Sequence, residues 1–142
     1  QKIQAEKKEE KLPPSSMTDI LKNLLTIDNY IEASAIIKDD GTILASAISS
    51  RITDGLFATI AQNLSMIGND IIEGLSAGKL KSISVKGTEG VLDLAPIRSD
   101  IERVKDMILI TFSHPKVKSG IINIALNMVR KNVKEYLGIS EK

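Results

Sequence analysis

Residues Thr53 to Gly78 read TDGLFATIAQNLSMIGNDIIEGLSAG, and this stretch sets the plan of the chain. Apolar residues recur at Leu56, Ile60, Leu64, Ile67, Ile71 and Leu75, three or four apart, the spacing of one helical face. Thr53 or Asp54 is suited to cap the start, and Gly78 to end the helix. Phe57, Ala61, Gly68 and Ile72 make a second line beside the first. So wide an apolar surface implies two contacts. One side suits a sheet, and the other is left for a partner.

On the N-terminal side of this helix, Ile31 to Ile48 reads as a hairpin. IEASAIIK and TILASAIS are β-rich, and Asp39-Asp40-Gly41 between them is turn chemistry. Ala33, Ala35 and Ile37 share one face of the first strand, and Ala45 and Ala47, with Ile43, share one face of the second. Such small side chains let a helix lie close. Asp39 and Asp40 lack the remaining ligand spacing of a calcium loop and read as a turn. Further upstream, Ser15 or Ser16 opens a short helix, with Ser16 and Asp19 resembling a capping box. Ile20, Leu21, Leu24, Leu25 and Ile27 form its apolar face, through about Asn29. Residues 1–14, QKIQAEKKEEKLPP, form a polar arm, flexible or helical, halted by the two prolines.

On the C-terminal side come three strand-like runs. Leu80 to Gly87, LKSISVKG, alternates through Ile83 and Val85. Gly90 to Ile97, GVLDLAPI, sets Leu92 and Leu94 opposite Val91, Asp93 and Ala95. Lys105 to Ser113, KDMILITFS, is apolar on both faces, which places it in the middle of a sheet. A turn at Lys86 to Gly90 joins the first two, and the charged segment Arg98 to Val104 joins the last two. Pro96 removes a ladder donor and belongs at a strand end or a bulge. The closing helix is read from Pro115, a favoured first-turn residue, to Gly138. Ile121, Ile122, Ala125, Met128, Val129, Val133 and Tyr136 recur at helical spacing. Its excess of Lys and Arg complements the helix dipole and reads as a solvated face. Residues 139–142 are a tail. The order α-β-β-α-β-β-β-α is that of an α+β fold: one antiparallel sheet of five strands with helices packed on it, over residues 15–138.

Composition narrows the function. The 142 residues carry a formal net charge of +1, so nothing draws the whole chain to nucleic acid. There is no cysteine, which excludes disulfides, thiolate zinc sites and thiol catalysis and fits a reducing, cytoplasmic compartment. No apolar run approaches the roughly 18 residues of a membrane span, and no signal-peptide pattern is visible. His114, the single histidine, stands before Pro115 and reads as a local cap. Gly74 to Leu80, GLSAGKL, superficially resembles a phosphate loop. It is one residue short, has no Ser or Thr after Lys79, and ends a helix where a phosphate loop opens one. The four methionines are dispersed core fillers. No catalytic, metal or cofactor residues emerge.

IEASAIIKDDGTILASA resembles the opening hairpin of Roadblock/LC7 domains, in which an extended strand meets an acidic-glycine turn and then a hydrophobic-Ala-Ser strand. TDGLFATIAQNLSMIGNDII, LKSISVKG, VLDLAPI, MILITFS and the closing helix match that family's remaining elements, so the resemblance spans about Ser16 to Leu137. It implies a sheet in the order 2-1-5-4-3. It also implies a two-fold dimer, with its own copy or a related chain, built from the central helix and the third strand. Phe57, Ala61, Leu64, Gly68, Ile72, Lys81, Ile83 and Val85 would then form the interface. Family members are in general not enzymes. They are platforms for small Ras-like GTPases, subunits of motor or lysosomal scaffolds, or partners of gliding-type GTPases. The resemblance therefore implies a non-catalytic dimeric adaptor without a cofactor, nucleic acid partner or membrane insertion. The alternative is a small-molecule sensor with a pocket between sheet and helices.

Overall fold

The computed structural model describes residues 16–48, 52–97 and 105–138. The expected N-terminal arm, the Arg98 to Val104 connection and the C-terminal tail lie outside these residues. Helix α1 (Met17–Lys22) starts at Ser16, whose hydroxyl accepts the Asp19 N–H at 3.2 Å, and it tightens into a 3-10 turn over Asn23–Thr26. Strands β1 (Ile31–Lys38) and β2 (Ile43–Ala47) form the hairpin. Helix α2 (Asp54–Gly74) crosses to β3 (Ile83–Gly87), β4 (Gly90–Pro96) and β5 (Met107–Ser113), and helix α3 (Ile121–Leu137) follows. The five strands form one antiparallel sheet in the order β2-β1-β5-β4-β3. The doubly apolar β5 is central, and Pro96 ends β4, as their sequences require.

The sheet separates two apolar cores. Under α1 and α3 lie Ile20, Leu21, Leu24, Ile36, Leu109, Ala125 and Val129, all buried. Under α2 lie Ala33, Ala35, Ile37, Leu94 and Ile110, with Phe57 and Ala61 of the helix. Two helices thus cover one face, and a single helix covers the other.

Several boundaries and faces differ from the sequence reading. The α2 cap is as expected: Thr53 Oγ1 accepts the Leu56 N–H at 3.1 Å. Its end is not, because the helix stops at Gly74 rather than Gly78. Ser76 takes the left-handed conformation (φ +52°), with Ser76 N–H bonded to the Glu73 carbonyl at 3.1 Å and Ala77 N–H to that of Ile72 at 2.9 Å. Those two bonds complete a reversing cap before Gly78 is reached. Helix α3 begins at Ile121, not Pro115. His114 Nδ1 does accept the Lys116 N–H at 3.0 Å as a cap would, but the Lys118 N–H, which a helix begun there would give to the His114 carbonyl, bonds Asp28 Oδ2 at 2.9 Å instead. In β2, Ile37 pairs with Ile43 and Ile36 with Ala45, so Leu44 is an extra residue. That bulge puts Ile43 in the α2 core and Ala45 in the other, instead of on one face. Leu25 is exposed, since the 3-10 turn shifts it off the buried line. Tyr136 is exposed as well, while Leu126, absent from the expected α3 face, is buried.

The loops are fixed by hydrogen bonds, some local and some distant in sequence. Asp40 Oδ1 accepts the Thr42 N–H at 2.9 Å, and Gly41 supplies the positive φ of the β1–β2 turn. Asp28 accepts from Lys118 N–H and from Tyr30 N–H, each at 2.9 Å, and these bonds hold its carboxyl below the usual carboxylate range. The His114 N–H donates to the Tyr30 carbonyl, and the two rings lie 5.2 Å apart. Residues 28–30 and 114–118 are thereby tied together across the chain.

Candidate functional site

Helix α2 runs 21 residues, about 31 Å at 1.5 Å per residue, and buries only one flank. Phe57, Ala61, Ser65 and Gly68 face the sheet and are buried. A Cβ on Gly68 would lie 2.6 Å from Ile83 Cδ1 and 3.3 Å from Leu80 Cδ2, so helix and strand touch closely there. The other apolar line stays open. Leu56 (51%), Ile67 (50%), Ile71 (53%) and Leu75 (72%) are exposed, with Ile60 and Leu64 half-buried between them and the sheet.

Within the single chain the two lines are covered unequally. Phe57, Ala61 and Gly68, assigned above to a dimer, are covered by the chain's own sheet. Leu64, Ile72 and Ile83 stand half-buried at the border, and only Lys81 and Val85 of the eight are exposed. The outward residues Leu56, Ile67, Ile71 and Leu75 were missing from that set. Their signal was legible: the sheet-facing line holds Ala61, Ser65 and Gly68, the small residues that permit close approach to Ala33 and Ala35.

The exposed flank continues onto the sheet. β3 is an edge strand, with no neighbouring strand on its outer side among the described residues, and Val85 on it is 50% exposed. Between α2 and β3–β4 lies an apolar groove of about 330 Å³, lined by Ile52, Leu56, Phe57, Ile60, Val85, Gly87, Gly90, Leu92 and Phe112. Gly90 is required at its floor, because a Cβ there would fall 2.6 Å from the Phe112 ring. A larger groove of about 450 Å³ lies toward the C-terminal part of α2. It is lined by Asn69, Glu73, Lys79, Lys105 and Asp106 among others, and its mixed charges favour no ligand class.

Chemistry needs convergent reactive groups. Among the described residues no three of His, Asp or Glu gather as a metal set. His114 is occupied with the Lys116 amide. No helix of the described residues is long and apolar enough to cross a membrane. What the surface offers is an apolar strip beside an open strand edge, a pairing of features that needs cover in water.

Comparison by sequence finds no matching family model and no matching curated protein. Comparison by structure finds many neighbours. A Roadblock/LC7 domain from Streptomyces avermitilis superposes with a TM-score of 0.74 at 14% identity, over 87% of this chain and 99% of that one. Myxococcus xanthus MglB gives 0.72 at 11% identity, over 89% of this chain and 91% of its own. An MglB in a tetrameric arrangement gives 0.67 at 12% identity, over 84% and 89%. The fold is that of the Roadblock/LC7 family.

Proposed function

From the Roadblock/LC7 fold as premise, we propose that this chain is a non-catalytic adaptor. It pairs with a second Roadblock-type chain, its own copy first of all, and the paired body docks a small Ras-like GTPase or a subunit of a motor or signalling complex. One observation carries the proposal: the exposed flank of α2 (Leu56, Ile67, Ile71) runs on to the open edge of β3 at Val85. Burying that strip on a two-fold mate removes apolar surface from water and extends both sheets by edge pairing. The tetrameric arrangement of one MglB neighbour is consistent with a fold used for assembly.

The GTPase part rests on the family resemblance. The lack of cysteine suits a reducing compartment, and the cytoplasm is the proposed location. A retention assay tests the partner class. The immobilised chain is presented with Ras-like GTPases loaded with GDP or with a GTP analogue. At least one loaded GTPase is expected to be retained, and retention is expected to fall in the Ile67→Glu/Ile71→Glu variant. No retention across the panel in either nucleotide state contradicts the GTPase reading.

A further inference from the structure

The sheet face beneath α3 carries a feature that self-pairing and GTPase docking do not use. Ser34 on β1 stands opposite Thr111 on β5, Thr111 opposite Asp93 on β4, and Asp93 opposite Ser84 on β3. The four residues form one polar row across the face. Ser34, Asp93, Thr111 and nearby Ser113 are buried. Thr111 Oγ1 and Ser113 Oγ have no hydrogen-bond partner, and no hydrogen bond from a described residue reaches the Asp93 carboxylate. Buried polar groups left like this cost free energy, and no described residue supplies their partners.

Asp93, 6% exposed, opens into a groove of about 370 Å³. That volume is within the range of small-ligand sites. On one side are Ser84 and Lys86 of the edge strand. On the other are Lys118, Ser119 and Gly120, then the first turn of α3. No side chain caps that 17-residue helix, so its N-terminal end presents partial positive charge to the groove. The wall is held in place by the Lys118 N–H bond to Asp28. Val91, Val117, Ile121 and Ile122 supply apolar lining between the charged ends.

The charges select the ligand. A plain anion would meet the buried Asp93 carboxylate. A plain cation would meet two lysines and the positive end of a helix. A zwitterion satisfies both. We infer that this groove binds a free aliphatic α-amino acid. Its ammonium group sits on Asp93, its carboxylate faces the α3 N-terminus with Lys86 and Lys118, and its side chain lies on Val91 and Ile122. The site is on the opposite side of the sheet from the α2 flank, and it stands or falls independently of self-pairing.

The test is an amide-resolved NMR titration of the full chain with L-valine to about 10 mM, a range that detects millimolar affinity. Isobutylamine and isovalerate, which are valine without its carboxylate and without its amine, serve as matched controls. Valine is expected to shift the amides of Ser84, Asp93, Gly120 and Ile122 saturably, and neither control is expected to do so. Asp93→Asn lowers the affinity at least about tenfold while the spectrum stays dispersed, the scale of losing a charge-assisted contact. If that variant does not fold, Lys118→Met at the exposed mouth takes its place and weakens binding several-fold. Absence of saturable shifts with valine leaves the polar row to ordered water and overturns the inference. So does an equal response to isovalerate, which would mark a simple anion site.

Discussion

The two faces of the sheet are built from the same strands and finished differently. On one face α1 and α3 together bury Leu109, Ile36, Ala95 and their own apolar sides. On the other, α2 alone spans Ile110, Leu94 and Ala35 and leaves its outer flank bare. In α2 the neighbours Phe57 and Leu56 show the contrast within one peptide bond, the first 1% exposed and the second 51%. The face packed by two helices carries the larger apolar core. A face covered by one two-sided helix holds the domain together from inside and leaves apolar surface bare.

The widest effect on this contrast comes from separating those two neighbours. Phe57→Ala is expected to cost about 3–5 kcal/mol, since a buried aromatic leaves a cavity. Leu56→Ser, measured by urea unfolding at a concentration that holds the monomer, is expected to stay within about 0.5 kcal/mol. Equal losses at the two positions would mean that α2 has no distinct inner and outer sides. Next in size is Gly90→Ala, which forces the Phe112 ring to move from the groove floor and is expected to cost about 1–3 kcal/mol. A wild-type thermal midpoint in that variant would show the floor to be loosely packed. Thr53→Ala removes the α2 cap bond and is expected to cost about 1 kcal/mol, read as a lower urea midpoint with unchanged slope.

The smallest effect belongs to Asp28, which joins the Tyr30 turn to the loop before α3. Its folded carboxyl titrates below the usual range because the Lys118 and then the Tyr30 amides donate to it. Its contribution is therefore complete above the unfolded-state pKa of about 3.9 and is lost as pH falls through the lower folded value. The stability gap between wild type and Asp28→Asn should be constant near neutrality and close in acid. A gap that widens in acid would contradict the assignment.

The fold was legible because periodicity and turn chemistry agreed. Both faces of Met107 to Phe112 are apolar, which puts that strand in the middle, and Asp39-Asp40-Gly41 made its turn. The hidden parts were those decided by contacts distant in sequence or by one-residue shifts. Pro115 looked like a helix start until the Asp28 carboxylate, 90 residues upstream, claimed the Lys118 amide. Ile43 read as sharing a face with Ala45 because a bulge at Leu44 leaves no mark on alternation. The faces of α2 were half legible: two apolar lines were plain, but spacing alone does not say which one meets the sheet. Small size does, through Ala61 and Gly68 against a hairpin rich in alanine. The buried row through Asp93 was not legible: alternation in GVLDLAP does not say how deeply Asp93 is covered, and Thr111 and Ser34 join it only through strand register.

The central claim is that the bare flank of α2 is an interface. Size-exclusion chromatography with light scattering, run over a dilution series on wild type and on Ile67→Glu/Ile71→Glu, tests it most directly. The account predicts twice the 15.4 kDa chain mass for wild type at high micromolar concentration and the single-chain mass for the variant, with both chains folded. A wild-type mass of one chain across the series, or an unchanged assembly in the variant, would contradict it.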